Sequence, residues 1–161
     1  MTTKEYNQCV DLNADHLYRF ILGQLKHEEN TRDVIQNSFE VLWKKHKEVD
    51  GAKAKSYLFS VAYHNMIDFI RKSKRMQYTD TIAEDSKTTE PVYTGLNEVL
   101  QKGLDRLPEI QKSVLMLRDY EGYAYKEIAD IMDLTESQVK VYIFRARKFM
   151  QSYVGKLRNV I

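Results

Sequence analysis

An all-α protein is expected from this sequence, arranged as two small helical domains joined by a flexible linker, the second containing a helix-turn-helix. Three observations lead there. The 161 residues include only 6 Gly and 2 Pro, and apolar positions recur at helical rather than alternating spacing. Between Arg75 and Gly95 that periodicity lapses into a Thr-rich stretch holding Pro91 and the acids Asp80, Glu84, Asp85 and Glu90 against a single Lys87. Beyond it, two short amphipathic segments flank a turn, and the last segment is strongly basic. The composition, 43% apolar and 30% charged, is that of a soluble globular chain. The domains are expected at residues 1–75 and 95–161, with an acidic tether at residues 76–94.

In the first domain, Leu12, Leu17, Phe20, Ile21 and Leu25 give a first helix over Leu12 to Leu25. A second runs from about Thr31 to Lys47, with Ile35, Ser38, Phe39 and Leu42 on one side. Asp33, Gln36, Asn37, Glu40 and Lys44 fall at i, i+3, i+4 and i+7 and form a single polar face. After the Asp50-Gly51 break and the basic loop Ala52 to Lys55, Ser56 suits the cap of a third helix, Tyr57 to Lys72. Its inner side holds Leu58, Ala62, Asn65, Met66 and Phe69. Its outer side mixes Ser60, Tyr63, His64, Ile67 and Arg71. Flat rings beside hydrogen-bonding and positive groups suit bases unstacked from a duplex, although Tyr63 and Ile67 packing on the first helix fits the spacing equally well.

The second domain opens with an amphipathic stretch from Leu96 to Asp105. Pro108 suits the first position of the next helix, running to about Arg118 and burying Ile110, Val114, Leu115 and Leu117. Gly122 ends the connection. Tyr125 to Met132 is the first helix of the helix-turn-helix, with Tyr125, Ile128, Ala129 and Met132 inward, and Asp133-Leu134 is the turn. Thr135 with Gln138 matches a capping box for the second helix. In that helix Val139, Ile143, Ala146 and Met150 form the inner seam, and Ser137, Lys140, Val141, Phe144 and Lys148 fall opposite, flanked by Arg145 and Arg147. From Val139 to the end there are six basic residues and no acid, in a chain whose net charge is only +2. A helix apolar inside, positive outside and carrying outward Val141 and Phe144 suits a DNA groove, where apolar groups meet thymine methyls and Lys140 meets a base edge or phosphate.

Other chemistry finds no support in the residues. The single Cys9 reads as a small buried hydrophobe, and the four histidines show no metal-ligand spacing. Neither a Gly-rich phosphate loop nor a nucleophile elbow is present, so no cofactor and no catalysis are expected. The opening Met-Thr-Thr-Lys-Glu-Tyr has no apolar signal core, and no apolar run is long enough to cross a bilayer, so a cytoplasmic protein is expected.

Taken together, the two domains resemble the bacterial extracytoplasmic-function sigma factors, which keep only sigma regions 2 and 4. The match spans about Leu17 to Arg75 and Leu96 to Tyr153. Asp33 to Trp43 resembles the region 2 helix that docks on the clamp helices of the RNA polymerase β′ subunit, implying polymerase contacts at Asp33, Gln36, Asn37, Glu40 and Trp43. Ser56 to Arg71 is similar to the segment that opens and reads the minus 10 element, implying contacts at Lys53, Lys55, Tyr57, Tyr63, His64 and Arg71. Leu107-Pro-Glu, Val114 to Arg118 and the Tyr125 to Arg147 stretch resemble region 4, which reads the minus 35 element and touches the β flap. That implies DNA contacts at Arg118, Ser137, Lys140, Val141, Phe144, Arg145 and Lys148. Family members commonly carry Asn at the place of His64, a small polar residue at Val141, Arg at Tyr142 and a hydroxyl residue at Ala124. These are base-reading, phosphate-facing or capping places, so the resemblance carries the fold and not the promoter sequence.

The function this implies is promoter selection as a monomeric subunit of RNA polymerase. The resemblance also raises a membrane-bound anti-sigma partner, which family members commonly have. Two other readings stay open on sequence alone: a regulator binding operator DNA without polymerase, since its helix-turn-helix is very similar, and a helical adaptor using Trp43 and Phe144 as protein contacts.

Overall fold

The computed structural model describes residues 1–79 and 98–158, with side chains for residues 1–76 and 98–156. Every regular element among them is helical, and the chain divides into two compact units between Glu90 and Pro91.

The first unit holds α1 (Thr3–Leu25), α2 (Glu28–Lys45), a 3-10 turn (Gly51–Lys53) and α3 (Ala54–Thr79). Helix α1 starts well before the expected Leu12. The Thr2 hydroxyl accepts from the Glu5 N–H at 3.1 Å, and the Glu5 carboxylate accepts from the Thr2 N–H at 3.4 Å, which closes a capping box. Apolar periodicity hid these turns because a core position there is polar: Asn13 is buried and donates to the Cys9 carbonyl at 2.8 Å. Leu12, expected inside, is 75% exposed. Helix α2 starts at Glu28 because His27 caps it, its Nδ1 accepting from the Asn30 N–H at 3.2 Å. At α3 the cap is Asp50, not Ser56. Its carboxylate accepts from the Ala52 N–H at 3.1 Å and begins a 3-10 turn that feeds directly into the helix. The helix then runs through Met76 to Thr79, residues assigned above to the tether, because no Gly or Pro stands there to stop it. Residues 80–94 of that tether lie outside the described residues.

The core of this unit is Leu17, Phe20 and Ile21 of α1, Val34, Ile35 and Leu42 of α2, and Leu58, Phe59, Ala62 and Met66 of α3. The Phe20 and Phe59 rings meet at 6.3 Å. Burying each such side chain contributes about 1.5–3 kcal/mol, so the three helices hold one another.

In the second unit, α4 (Glu98–Arg106) precedes α5 (Glu109–Leu115), a π-helical turn (Met116–Tyr120), α6 (Tyr125–Met132) and α7 (Glu136–Arg158). Pro108 stands at the cap of α5 with extended ψ, one place before the position expected for it. The helix does not reach Arg118 as a plain α-helix. A wider turn intervenes, marked by the Glu121 N–H donating to the Met116 carbonyl five residues back at 3.0 Å. Gly122 follows with φ +74°, a left-handed geometry that favours glycine. Leu104, Leu107, Leu115 and Ala146 form one core cluster, and Ile128, Ile131, Val139 and Ile143 are buried as well. Gly103 permits α4 to lie close on α7: a Cβ there would stand 2.9 Å from atoms of both Met150 and Tyr153. The buried Lys112 is paired with Asp105 at 2.9 Å.

Candidate nucleic-acid interface and docking face

Helix α7 is fixed at its start by the expected capping box. The Thr135 hydroxyl accepts from the Gln138 N–H at 3.1 Å, and the Gln138 side-chain oxygen accepts from the Thr135 N–H at 2.9 Å. The preceding Asp133 closes the turn in the left-handed region at φ 56°. At α6 only half a box exists, the Glu127 carboxylate accepting from the Ala124 N–H at 3.2 Å, since Ala124 has no side chain to return the bond. With Val139, Ile143 and Ala146 buried, the other side of α7 turns outward, and Ser137, Lys140, Val141, Phe144, Arg145 and Lys148 are all exposed. Phe144 is 66% and Val141 44% exposed, apolar side chains standing among the exposed cations Lys140, Arg145 and Lys148.

Two further groups organise this face. The Tyr125 ring, expected in the seam, is only half-buried and instead faces cations: the Arg118 guanidinium lies 4.4 Å from its centroid and the Lys140 ammonium 5.7 Å. Arg118 also donates to the Tyr123 carbonyl at 2.9 Å, so this candidate phosphate contact is already oriented by the loop before α6. Arg147 is tied to Asp119 of the π-helical turn by two hydrogen bonds, Nε donating to Oδ2 at 3.1 Å. The hydrogen bond to Asp119 raises the Arg147 pKa above its ordinary value and fixes the group as a charged clamp. Both pairs join the π-helical turn to the helix-turn-helix.

On the first unit, Asp33, Gln36, Asn37, Glu40 and Trp43 are all exposed along α2 while Val34, Ile35, Ser38 and Leu42 are buried. Trp43 sits between rings, stacked on His46 at 4.2 Å and met edge-on by Tyr6 at 5.0 Å. The Tyr6 hydroxyl donates to the Phe39 carbonyl at 3.0 Å, so the early turns of α1 shape the end of the polar face. Burial, with the nearby Cys9 and Glu40, raises the Tyr6 pKa.

The α3 candidates divide. His64 and Arg71 are exposed, Lys53 is exposed on the 3-10 turn, and Lys55, Tyr57, Tyr63 and Ile67 are half-buried. His64 Nδ1 lies 2.7 Å from the Ser60 carbonyl. A carbonyl only accepts, so Nδ1 carries a proton and donates to it. Tyr63 meets the His64 ring edge-on at 5.6 Å, which places two flat groups side by side on the outer surface.

Comparison with known proteins now bears on this arrangement. The family profile for sigma-70 region 2 matches residues 9–76, and that for sigma-70 region 4 matches residues 97–150. The ECF RNA polymerase sigma-E factor of Haemophilus influenzae is 30% identical over 141 residues, covering 78% of this chain and 75% of that protein. The chain belongs to the extracytoplasmic-function sigma factors of the sigma-70 family. This sigma factor is also 29% identical to SigM of Bacillus subtilis over 93% of its length and 95% of SigM, and 28% identical to SigV over 92% and 90%. In fold it matches RpoE of Bartonella quintana, solved with the anti-sigma factor NepR, at a TM-score of 0.80 and 22% identity over 95% of this chain and 98% of that one. It matches CnrH, solved with the cytosolic domain of CnrY, at 0.72 and 19%, over 96% and 90%. It is therefore an alternative sigma factor that binds core RNA polymerase and promoter DNA and directs transcription initiation.

Several residues of this sigma factor that shape these surfaces carry no local signal in the sequence. Tyr125 has a core spacing, which places it in the seam. Asp119 and Arg147 are 28 residues apart, and nothing local marks them as a pair. Tyr6 lay before the expected start of α1. Phe59 is fully buried although it stands outside the expected inner side of α3.

Proposed function

We propose that the two units divide promoter recognition between them. In this reading the second unit binds the minus 35 element through Ser137, Lys140, Val141, Phe144, Arg145 and Lys148, with Arg118 on the DNA backbone, and touches the β flap. The first unit docks on the β′ clamp helices through Asp33, Gln36, Asn37, Glu40 and Trp43. It then holds the unstacked minus 10 strand against Tyr57, Tyr63 and His64, with Lys53, Lys55 and Arg71 near the phosphates. The observation that carries the assignment is the outer face of α7: Phe144 at 66% and Val141 at 44% exposure, set among cations on a helix whose start is fixed by a capping box.

The protein acts by binding alone, in the cytoplasm, and supplies no chemistry of its own. No described helix is long and apolar enough to cross a membrane, which fits that location. By likeness to the fold matches solved with NepR and CnrY, an anti-sigma factor is its inhibitor.

Run-off transcription with purified core enzyme tests the reading. Lys140→Ala and Phe144→Ala are expected to reduce product from a minus 35-dependent promoter while leaving core binding intact. Asp33→Asn is expected to weaken core binding and to leave the α7 contacts untouched. Loss of core binding in the α7 variants, or unaltered transcription from them, refutes the division of labour.

A further inference from the structure

Between α2 and α3 runs a short chain of hydrogen bonds whose polarity can be worked out from one hydroxyl. Ser38 is buried and its Oγ donates its single hydrogen to the Val34 carbonyl at 2.7 Å. Toward Asn65, 3.3 Å away, Ser38 has only lone pairs left, so the Asn65 atom facing it is the NH2 group. The second hydrogen of that NH2 goes to Asn37 Oδ1 at 2.8 Å. Asn37 thus points its oxygen toward α3, and its own NH2, with no partner among the described residues, is left for a partner. Four residues before it and three after stand the exposed carboxylates of Asp33 and Glu40, which only accept.

We infer that Asn65 is a positioning residue for polymerase docking: it locks the Asn37 amide so that the stripe Asp33, Asn37, Glu40 presents acceptor, donor, acceptor. Core polymerase then offers a carboxylate or backbone carbonyl opposite Asn37, between basic groups opposite Asp33 and Glu40. This rests on the docking role proposed for α2. It adds a residue from α3, a helix otherwise assigned to minus 10 DNA, and the hydrogen-bonding sense of the contact.

The test is the affinity of labelled full-length protein for DNA-free core polymerase. Asn65→Asp cannot donate, so Asn37 rotates to give its NH2 inward and turns its oxygen out against the polymerase acceptor. About a tenfold loss of affinity is expected, equivalent to about 1.4 kcal/mol. Asn65→Leu only frees the amide, and about a twofold loss is expected at similar thermal stability. Charge alone acts the other way, since an added carboxylate beside basic groups strengthens binding. Asn37→Asp keeps the inward acceptor and removes the outward donor, and about a tenfold loss is expected there too. It serves as the test if Asn65→Asp does not fold. Asp33→Asn and Glu40→Gln report on the docking face itself. If they weaken binding while the two Asp variants do not, or if Asn65→Asp is no weaker than Asn65→Leu, the inference is overturned alone. Unchanged affinity in Asp33→Asn and Glu40→Gln overturns the docking reading and the inference with it.

Discussion

Tyr125 holds two of the cations proposed to meet DNA, Arg118 and Lys140, against one ring, and its contribution is separable from packing. A cation over a ring is worth about 0.5–2 kcal/mol depending on exposure. Tyr125→Leu keeps an apolar group at the start of α6 and removes the ring, so promoter binding by holoenzyme is expected to fall about fivefold, with Tyr125→Phe close to wild type. Equal losses in both variants would show that the ring face is not what matters. A second residue prediction concerns pH. Burial raises the Cys9 thiol above its ordinary 9.0, only partly offset by the Asn13 hydrogen bond. A raised folded pKa means the contribution is fully present below 9.0 and is lost as pH climbs through the higher folded value. The first unit is therefore expected to lose thermal stability above that pH, and Cys9→Ala to flatten the early part of the fall, before the tyrosines ionise. A wild-type melting temperature that is flat or rising between about pH 8.5 and 10 contradicts this sign. The α7 contact candidates were legible in the sequence because exposure there follows from helical spacing. Tyr125 was not, because spacing gives the direction of a side chain and not the charge it meets.

At the scale of elements, caps decide where these helices begin. The Thr135 to Gln138 box was readable because both residues sit at a local, fixed offset. The box at Thr2 and Glu5 has the same pattern but is masked in the sequence, since the buried Asn13 and exposed Leu12 break the apolar repeat that follows it. The π-helical turn is illegible for a different reason: what accompanies its hydrogen bond, the burial of Met116 and Leu117 and the clamp from Asp119 to Arg147, is tertiary and leaves no local pattern. Thr135→Ala removes one acceptor from an exposed cap and is expected to lower the stability of the second unit by about 1 kcal/mol. Thermal unfolding followed by circular dichroism measures it. Thr135→Ser retains the bond and should recover most of the loss, whereas a deficit shared by both variants would mean that the hydroxyl is not the stabilising group.

Across the whole molecule the charge is +2, yet the protein must grip a polyanion, so the placement of charge matters more than its sum. On α7, Lys140, Arg145 and Lys148 are exposed, whereas Arg147 is neutralised in place by Asp119. Each phosphate neutralised adds about 0.9 to the slope of log affinity against log salt. Three or four such contacts, counting Arg118, give a slope near −3 and about a 40- to 150-fold loss of affinity between 50 and 200 mM salt. That is too little for tight binding by the free protein, and a second anchor on core polymerase supplies the rest through effective concentration. The clamp yields an unequal pair of outcomes. Lys148→Gln is expected to reduce the holoenzyme's slope on promoter DNA by about 1, and Arg147→Gln to leave it nearly unchanged. Asp119→Asn goes the other way, because it removes the carboxylate that neutralises the Arg147 cation on the helix proposed to face DNA, and the slope should steepen by up to about 1. Titrations at four or five salt concentrations resolve these differences. A slope that falls equally for Arg147→Gln and Lys148→Gln means that Asp119 releases Arg147 on binding, and the pair is then a part of the DNA contact instead of a strut within the fold.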